Sequence, residues 1–177
     1  MADPESPTPV KYFIAVLFSS PDLLSLARNV LQENWGKMDL EGDPRLFEVT
    51  DYYQAEMGGT LYRSIISFKD LMNPAEIVER KLRCNDLEDT LALENKRRVN
   101  LDAGYLDHNK VVLASAKAAG QKIYLGRGIY ADLAGRYRSG RYQPFEWSFP
   151  DFKDGRYDRE LLLIRKEYLR QLKNRGW

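Results

Sequence analysis

The segment Lys11–Phe18, with the sequence KYFIAVLF, constrains the fold more than any other part of the chain. It is a continuous apolar run with the length and aromatic content of a buried β-strand. Ser20 and Pro21 follow it, and these residue types are typical of a helix N-cap and of the first helical position. A buried strand that leads directly into a helix predicts a domain in which helices cover a sheet.

The remaining hydrophobic patterns and turn residues predict the order β-α-β-β-α-β, followed by a helix, a β-meander and a final helix. One stretch is ambiguous: Asp107 and Gly120 suit the two ends of a helix, whereas Val111 and Val112 favour a strand. We take the helix as the first interpretation and the strand as the alternative. The predicted strands are 11–18, 45–53, 60–68 and 97–102; the predicted helices are 20–36, 73–91 (with a kink or break near Asn85), 107–120 and 157–174; the meander is 122–147.

This order predicts an α+β fold, with a ferredoxin-like α/β sandwich core that is extended by the C-terminal β-meander and the final helix. The 177 residues, 44% of them hydrophobic, suffice for one domain with a sizeable core. No repeat or linker divides the chain, so we expect a single domain over residues 11–177. Residues 1–10 (MADPESPTPV) are polar and proline-rich, and we expect a disordered lead-in there.

The cysteine count and the hydrophobic pattern both favour a cytoplasmic protein. One cysteine, Cys84, excludes an internal disulfide and fits a reducing compartment. No apolar run approaches the roughly 20 residues of a membrane-spanning helix. The first residues lack the basic and apolar regions of a signal peptide.

The charges are distributed unevenly along the chain. Residues 1–60 contain 4 Lys and Arg against 10 Asp and Glu, whereas residues 96–177 contain 18 against 9. The C-terminal half is therefore basic, although the whole chain carries a net charge of only +1. Such a division indicates either that the basic half binds a partner of opposite sign or that the two halves attract each other.

The sequence contains few residues that could form a metal site or act as a catalytic nucleophile. One His and one Cys cannot form a zinc site, so the only candidate metal site is a carboxylate site for Mg²⁺ through Asp51, Glu56 or Asp102. The pair Asp51 and Glu56 could either hold the Mg²⁺ ion or act as a general base, and both alternatives stay open. Lone carboxylates at strand ends are more often solvated or capping residues. We expect Cys84 to lie in the core, because it falls within an apolar helical stripe, and we expect neither Cys84 nor His108 to be catalytic.

The glycine motifs do not match known nucleotide cradles. The segment LGRGI lacks the third glycine of a dinucleotide-binding motif, and a hairpin turn is the better interpretation. No P-loop is present, so any nucleotide would be held without that cradle. Arg127, between the two glycines, would nevertheless project outward with its guanidinium free to bind a carboxylate or a phosphate.

The best candidate site is the polar stretch NLDAGYLDHNK at 100–110. Asn100 and Asp102 alternate on one side of a predicted strand, Tyr105 can stack or donate, and Lys110 and Lys117 would extend from the helix that follows. With Arg127 they predict a pocket for an anionic, phosphate-bearing small ligand such as a nucleotide, because helix N-termini attract anions. The alternative is a polar capping loop with solvated charges.

Two other functions remain open. Arginines and tyrosines interleave in the segment GRYRSGRYQ, where Arg136, Arg138 and Arg141 could contact phosphates of RNA or single-stranded DNA while tyrosines stack on bases. The same spacing also fits an ordinary exposed hairpin. A protein-interaction domain, whose basic half binds an acidic partner, is the third alternative.

Three segments together resemble a known family: TDYYQAEMGG, RRVNLDAGYLDHNKVVLASAK and KIYLGRGIYADLAGRYRSGRYQPFEWSFPDF. They are similar to DUF4416, a prokaryotic family classified as a domain of unknown function, and the similarity extends from about Tyr12 to Leu172. The resemblance implies a single compact cytosolic domain. Some members are labelled GTP-binding proteins, but this chain contains neither the P-loop nor the N-K-x-D motif.

Overall fold

The computed structural model describes residues 3–177 and shows a mixed α+β fold, in which five helices surround one nine-stranded sheet. Of the expected lead-in at 1–10, residues 1–2 lie outside the described part, residues 3–9 have no regular structure, and Val10 already belongs to the first strand. The strands are β1 (Val10–Phe18), β2 (Met38–Glu41), β3 (Arg45–Phe47), β4 (Leu61–Met72), β5 (Val99–Leu106), β6 (Lys110–Ser115), β7 (Ile123–Gly126), β8 (Ile129–Arg138) and β9 (Arg141–Pro144). The helices are α1 (Pro21–Trp35), α2 (Gln54–Met57), α3 (Ile77–Leu91), α4 (Pro150–Lys153) and α5 (Asp158–Asn174).

The sheet is open, and every strand pair in it is antiparallel. The strand order is β2-β4-β1-β5-β6-β8-β7, with β3 pairing with β4 and β9 with β8. Strand β1 pairs with β5 along Lys11–Phe18 and with β4 on its other side. The strand predicted most firmly from the sequence is therefore near the middle of the sheet.

Strand β1 is buried on both faces because each face of the sheet has its own layer of helices. Tyr12, Ile14 and Val16 pack in a core with α1 and α3, whereas Phe13 and Ala15 pack in a second core with α5. A strand covered on both faces needs no polar alternation, which explains the continuous apolar run. The buried stripes of α1 and α5 were predicted correctly.

The helix predicted at 107–120 is wrong, because this stretch forms a hairpin between β5 and β6. Strand β6 occupies Lys110–Ser115. Asp107 does cap a backbone turn, but its carboxylate accepts hydrogen bonds from the amides of Asn109 and Lys110 in a hairpin connection. Residues such as Asp cap both helices and turns, so Asp107 does not distinguish between them. The β-branched pair Val111 and Val112 favours the strand.

Three smaller differences separate the predicted and the observed elements. Strand β2 lies in a segment predicted as loop, and the strand predicted at 45–53 ends at Phe47 and is followed by α2. Helix α3 is continuous through Asn85, where a kink or break was expected. The meander is confirmed, since β7, β8 and β9 pair in succession, although β8 also pairs with β6.

Candidate ligand-binding site

The candidate site is a cleft where β5 and β6 separate. Their backbone pairing covers only Gly104–Leu106 against Val111–Leu113. Beyond Gly104 the strands part, and the space between them is a cleft of about 160 Å³. We call it the β5–β6 cleft; it is lined by Tyr52, Tyr53, Lys81, Asn85, Glu88, Arg97, Asn100, Asp102, Leu113–Lys117, Lys122, Asp132 and Phe149.

Gly104 stands at the point where the two strands separate. A Cβ atom there would lie 2.7 Å from Phe13 Cζ, 2.8 Å from Leu113 Cδ2 and 2.9 Å from the carbonyl oxygen of Val112. Only glycine lets the neighbouring backbone come this close. The requirement for glycine thus falls on the residue at which the pairing of β5 with β6 ends, beside the cleft.

Side chains of α3 replace the strand that β5 lacks beside the cleft. The Leu101 amide donates to Glu88 Oε1 at 2.6 Å, and the Leu101 carbonyl accepts from Lys81 Nζ at 3.0 Å. Buried backbone groups need such partners, and here two charged side chains provide them. Lys81 and Glu88 are themselves buried and lie 3.9 Å apart. They hold the edge of β5 without closing the cleft.

Arg97 joins the cleft to helix α2. Its guanidinium contacts Glu56 at 2.8 Å and Glu88 at 3.3 Å, and it donates to Asn100 Oδ1 at 3.0 Å. Because arginine can only donate, the amide oxygen of Asn100 must face it, and the Asn100 amide nitrogen faces elsewhere. That buried nitrogen has no hydrogen-bond partner within residues 3–177.

A buried arginine lies below the cleft. Arg63 of β4 contacts Asp151 at 2.5 Å and Asp102 at 3.2 Å, and its guanidinium lies 4.4 Å from the centre of the Phe47 ring. Burial alone would lower the pKa of Arg63, but the charges of Asp151 and Asp102 raise it. Asp102 also lies 3.9 Å from Lys81, so one carboxylate connects two cations at the floor of the cleft.

Two lysines stand on the β6 side. Lys122 contacts Asp132 at 3.4 Å and donates to Ser115 Oγ at 2.9 Å. Lys117 Nζ lies 3.7 Å from the centre of the Tyr52 ring, and no carboxylate of the described chain lies within 4.0 Å of it. The neighbouring Lys117 ammonium favours the ionised form of the exposed Tyr52 hydroxyl and lowers its pKa. Lys117 is thus the cleft cation without a carboxylate partner among residues 3–177.

A second, apolar hollow adjoins the cleft. It has a volume of about 360 Å³ and shares Tyr52, Tyr53, Lys117 and Phe149 with the cleft. Its other lining residues are Val49, Thr50 and Pro150. Tyr52 and Phe149 are substantially exposed, at 57% and 39%. An exposed aromatic wall beside a polar cleft is suited to a ligand that has a planar ring and a polar end.

The structure brings three of the six predicted ligand-binding residues together: Asn100, Asp102 and Lys117 line the cleft. Tyr105 points to the other face of β5, where it packs against the core beneath α1 and α3. Lys110 pairs with Asp107 at the opposite end of β6 from Lys117. This separation follows from the strand that replaces the predicted helix, because a strand does not place these two lysines on successive turns.

Arg127 and the two acidic residues do not form the predicted site. Arg127 is exposed in the β7–β8 turn and pairs with Glu79. Asp51 accepts from the side chain of Gln54, and Glu56 pairs with Arg97. Within residues 3–177 no group of three or more His, Cys, Asp or Glu side chains is arranged to hold a metal ion. Asp51 and Glu56 are thus each engaged by a side chain of the chain itself, and their role as a carboxylate site for Mg²⁺ stays a prediction.

Sequence reasoning missed Lys81, Glu88, Lys122 and Asp132. The signal for the first two was the imperfect helical phase of α3. Its buried positions include Lys81, Cys84 and Glu88, so two charged residues stand in an otherwise apolar stripe. Charged residues at buried helical positions need a partner across the interface, and here that partner is the free edge of β5. Asp132 is a single charge within the apolar stretch IYADLAG of β8, a signal of the same kind, whereas Lys122 at the end of the loop before β7 had no such signal.

Cys84 and His108 lie away from the cleft lining. Cys84 is fully buried in the core as predicted, and its Sγ is 3.9 Å from the Tyr12 hydroxyl. Burial raises the pKa of the Cys84 thiol to about 12. The His108 ring packs edge-on against Tyr168, with ring centres 5.3 Å apart.

The arginines proposed for nucleic-acid binding are exposed on the β8–β9 hairpin. Arg141 lies 3.8 Å from Asp158, and Arg138 is opposite it in the ladder. The tyrosines between them face inward: Tyr142 is buried, and Tyr137 packs against it and under Arg165. The alternation of a strand therefore puts the arginines and these two tyrosines on different faces.

Two further findings concern the whole chain. No helix among the described residues is long and apolar enough to span a membrane. The family model described as a domain of unknown function (DUF4416) matches residues 8–168. Comparisons with curated proteins and with solved structures gave no match.

Proposed function

The chain belongs to the family of the domain of unknown function DUF4416, and we propose that its β5–β6 cleft binds a small phosphate-bearing ligand with a planar ring, such as a nucleotide. The observation that carries the proposal is Lys117. It lines both the cleft and the apolar hollow, and it has no carboxylate partner among residues 3–177. An ammonium group in this position attracts an anion to the place where the cleft meets the apolar hollow.

The charge balance of the cleft supports one phosphate rather than several. Four cations line it (Lys81, Arg97, Lys117 and Lys122) against three carboxylates (Glu88, Asp102 and Asp132), an excess of one positive charge. The far side opens toward Glu56 and Asp89, which repel an anion. The ligand's phosphate would therefore lie at Lys117, and its ring would lie in the hollow between Tyr52 and Phe149.

A binding experiment with matched probes tests this proposal. Titration calorimetry with AMP, GMP, CMP and UMP should show binding, whereas adenosine and inorganic phosphate should bind more weakly because each lacks half of the contacts. Lys117→Gln should weaken nucleotide binding roughly tenfold. Lys37→Gln, the same change at an exposed site beside β2, should have no effect. If no nucleotide binds the wild-type protein, the proposal is wrong.

A second candidate function is nucleic-acid binding by the β8–β9 hairpin. It is favoured by the exposure of Arg136, Arg138 and Arg141, of which only Arg141 has a carboxylate within 4.0 Å in the described chain. Replacing all three by Ala should abolish salt-dependent binding of a single-stranded oligonucleotide, with a slope of about −0.7 per phosphate neutralised in the wild type. The same variant should bind AMP normally, which separates the two functions.

We also propose that residues 10–106 form a ferredoxin-like unit. The support is the strand order β5-β1-β4-β2 with all neighbours antiparallel, together with the packing of α1 and α3 in one core on one face. The second half extends that sheet from β5. A cytoplasmic location, which we propose as well, is supported by the single buried free thiol of Cys84.

A further inference from the structure

We infer that the ligand of the β5–β6 cleft carries a hydroxyl group beside its phosphate, and that Asp132 accepts a hydrogen bond from this hydroxyl while Asn100 donates one to a ligand oxygen. The inference rests on the proposed function and narrows it to hydroxylated phosphate esters, among them nucleotides with an intact sugar. Two unpaired polar atoms in the wall of the cleft lead to it.

The first of these atoms is the amide nitrogen of Asn100. The residue is 4% exposed, and Arg97 fixes its orientation by donating to the amide oxygen. The nitrogen is left as a buried donor without a partner among the described residues. Buried donors are nearly always paired in folded proteins, so an unpaired one in a cleft wall indicates a missing acceptor. A ligand oxygen is such an acceptor.

The second atom is Oδ1 of Asp132. Strand β8 places the residue opposite Leu113 of β6, and it is 5% exposed. Its other oxygen, Oδ2, faces Lys122 at 3.4 Å, whereas Oδ1 has no hydrogen-bond partner within residues 3–177. A carboxylate oxygen accepts only, so the missing partner must be a donor. Fully ionised inorganic phosphate has no hydrogen-bond donor and cannot be this partner.

The neighbouring charge decides which donor suits Asp132. Lys122 already neutralises the carboxylate and is tied to Ser115 as well. A second ammonium group in the same buried pocket would repel Lys122 at short range, where little solvent screens the charges. A hydroxyl donates without adding charge. The ligand group at Asp132 is therefore an uncharged donor, which beside the phosphate of a phosphate ester is a hydroxyl, and Asp132 is a specificity-determining residue.

The test compares AMP with 2′,3′-dideoxy-AMP, which keeps the base and phosphate but lacks the sugar hydroxyls. Wild-type protein should bind AMP roughly ten- to a hundredfold more tightly in calorimetry, the usual range for a hydrogen bond to a charged group. In Asp132→Asn, Lys122 keeps the amide oxygen on its own side, and the amide nitrogen facing the ligand can only donate to the hydroxyl oxygen, so the charge-assisted hydrogen bond is lost and at most a neutral one replaces it. The preference should fall severalfold, to about that of a neutral hydrogen bond. Asp86→Asn, the same charge change on the exposed face of α3, should keep the full preference.

The outcomes separate this inference from the proposed function. Equal binding of the two probes by wild-type protein overturns the role of the hydroxyl and leaves phosphate binding intact. A preference that Asp132→Asn retains in full overturns the assignment to Asp132. Absence of binding by either probe removes the proposed function and the inference with it. The comparison on wild-type protein holds even if Asp132→Asn does not fold.

Discussion

Glu88 is the residue whose protonation links the cleft to pH. Burial raises the pKa of its carboxyl group above the ordinary 4.5, although Lys81, the Leu101 amide and Arg97 act in the opposite direction. The folded state therefore holds this proton more firmly than the unfolded chain. Its contribution to stability is complete below the unfolded pKa and is lost as pH rises through the raised folded pKa.

Replacing Glu88 by Gln should remove that dependence. The free energy of unfolding of the wild type, relative to Glu88→Gln, should be most favourable near pH 4 and should decline toward pH 8, as measured by urea unfolding across about this range. Glu33→Gln, an exposed change on α1, should give a constant difference over the same range. A wild-type advantage that grows with pH would contradict the raised pKa.

Cys84 provides a second prediction at the residue scale. The thiol is fully buried between α3 and β1, so Cys84→Ala leaves a small cavity and should lower the free energy of unfolding by roughly 1–2 kcal/mol. Because burial raises the pKa of the thiol to about 12, a disulfide reagent should modify it only as the protein unfolds. Rapid modification of the native protein would show that the thiol is accessible.

At the scale of elements, the hairpin of β5 and β6 depends on one glycine. Gly104→Ala should destabilise the protein by about 1–3 kcal/mol, because the new methyl group meets the Val112 carbonyl oxygen at 2.9 Å and backbone cannot move aside as a side chain can. Chemical unfolding measures this directly.

Gly120→Ala is the matched control for this change. Gly120 has open space around its Cβ position and no positive φ, so its replacement should change stability by less than about 0.5 kcal/mol. If the two substitutions lowered stability equally, the close contact between residue 104 and the Val112 carbonyl oxygen would not be the reason for glycine at this position.

The packing of α3 beside β5 explains how the cleft arises. A regular antiparallel ladder would have continued past Gly104 and closed the space between β5 and β6. Instead, Lys81 and Glu88 of α3 bind the free backbone groups of Leu101, and their hydrogen bonds replace those of a neighbouring strand. The sequence pattern suggested a break in α3 near Asn85, but the helix is continuous, and its polar residues Lys81 and Glu88 have partners in β5.

For the whole molecule, the continuity of the sheet predicts cooperative unfolding. Strand β1 pairs with β5 along eight residues, and Arg63 of β4 joins Asp102 and Asp151 from the second half of the chain. We expect circular dichroism and tryptophan fluorescence to follow one coincident transition in urea. A fragment of residues 1–95 should show no cooperative transition, since β1 would lose β5. Two separate transitions in the full chain would contradict a single domain.

Ion pairs within the folded chain explain part of the uneven charge distribution. The acidic first half and the basic second half meet in ion pairs such as Arg97 with Glu56 and Glu88, and Arg127 with Glu79. The halves therefore attract each other, one of the two interpretations of the sequence. The exposed arginines of the β8–β9 hairpin are the residues on which the proposed nucleic-acid binding depends, and the triple replacement described above tests that role.

The sequence alone is enough to predict the elements whose pattern is local. The unbroken apolar run of β1, the cap and stripe of α1 and the stripe of α5 each depend on burial that repeats along one segment. It also determined that Asn100 and Asp102 share a side, because alternation is a property of a single strand. The strong motifs were likewise enough to identify the family.

Which groups face those residues depends on contacts between segments that are distant in sequence. Asp107 and Gly120 suit a turn as well as a helix, so the conformation of β6 was settled by pairing with β5 and β8, which are distant in sequence. That pairing put Lys117 at the cleft and Lys110 at the far end of the strand. Lys81 and Asp132 joined the site because α3 packs on β5 and β8 lies beside β6, and contacts between segments so far apart leave no period in the sequence.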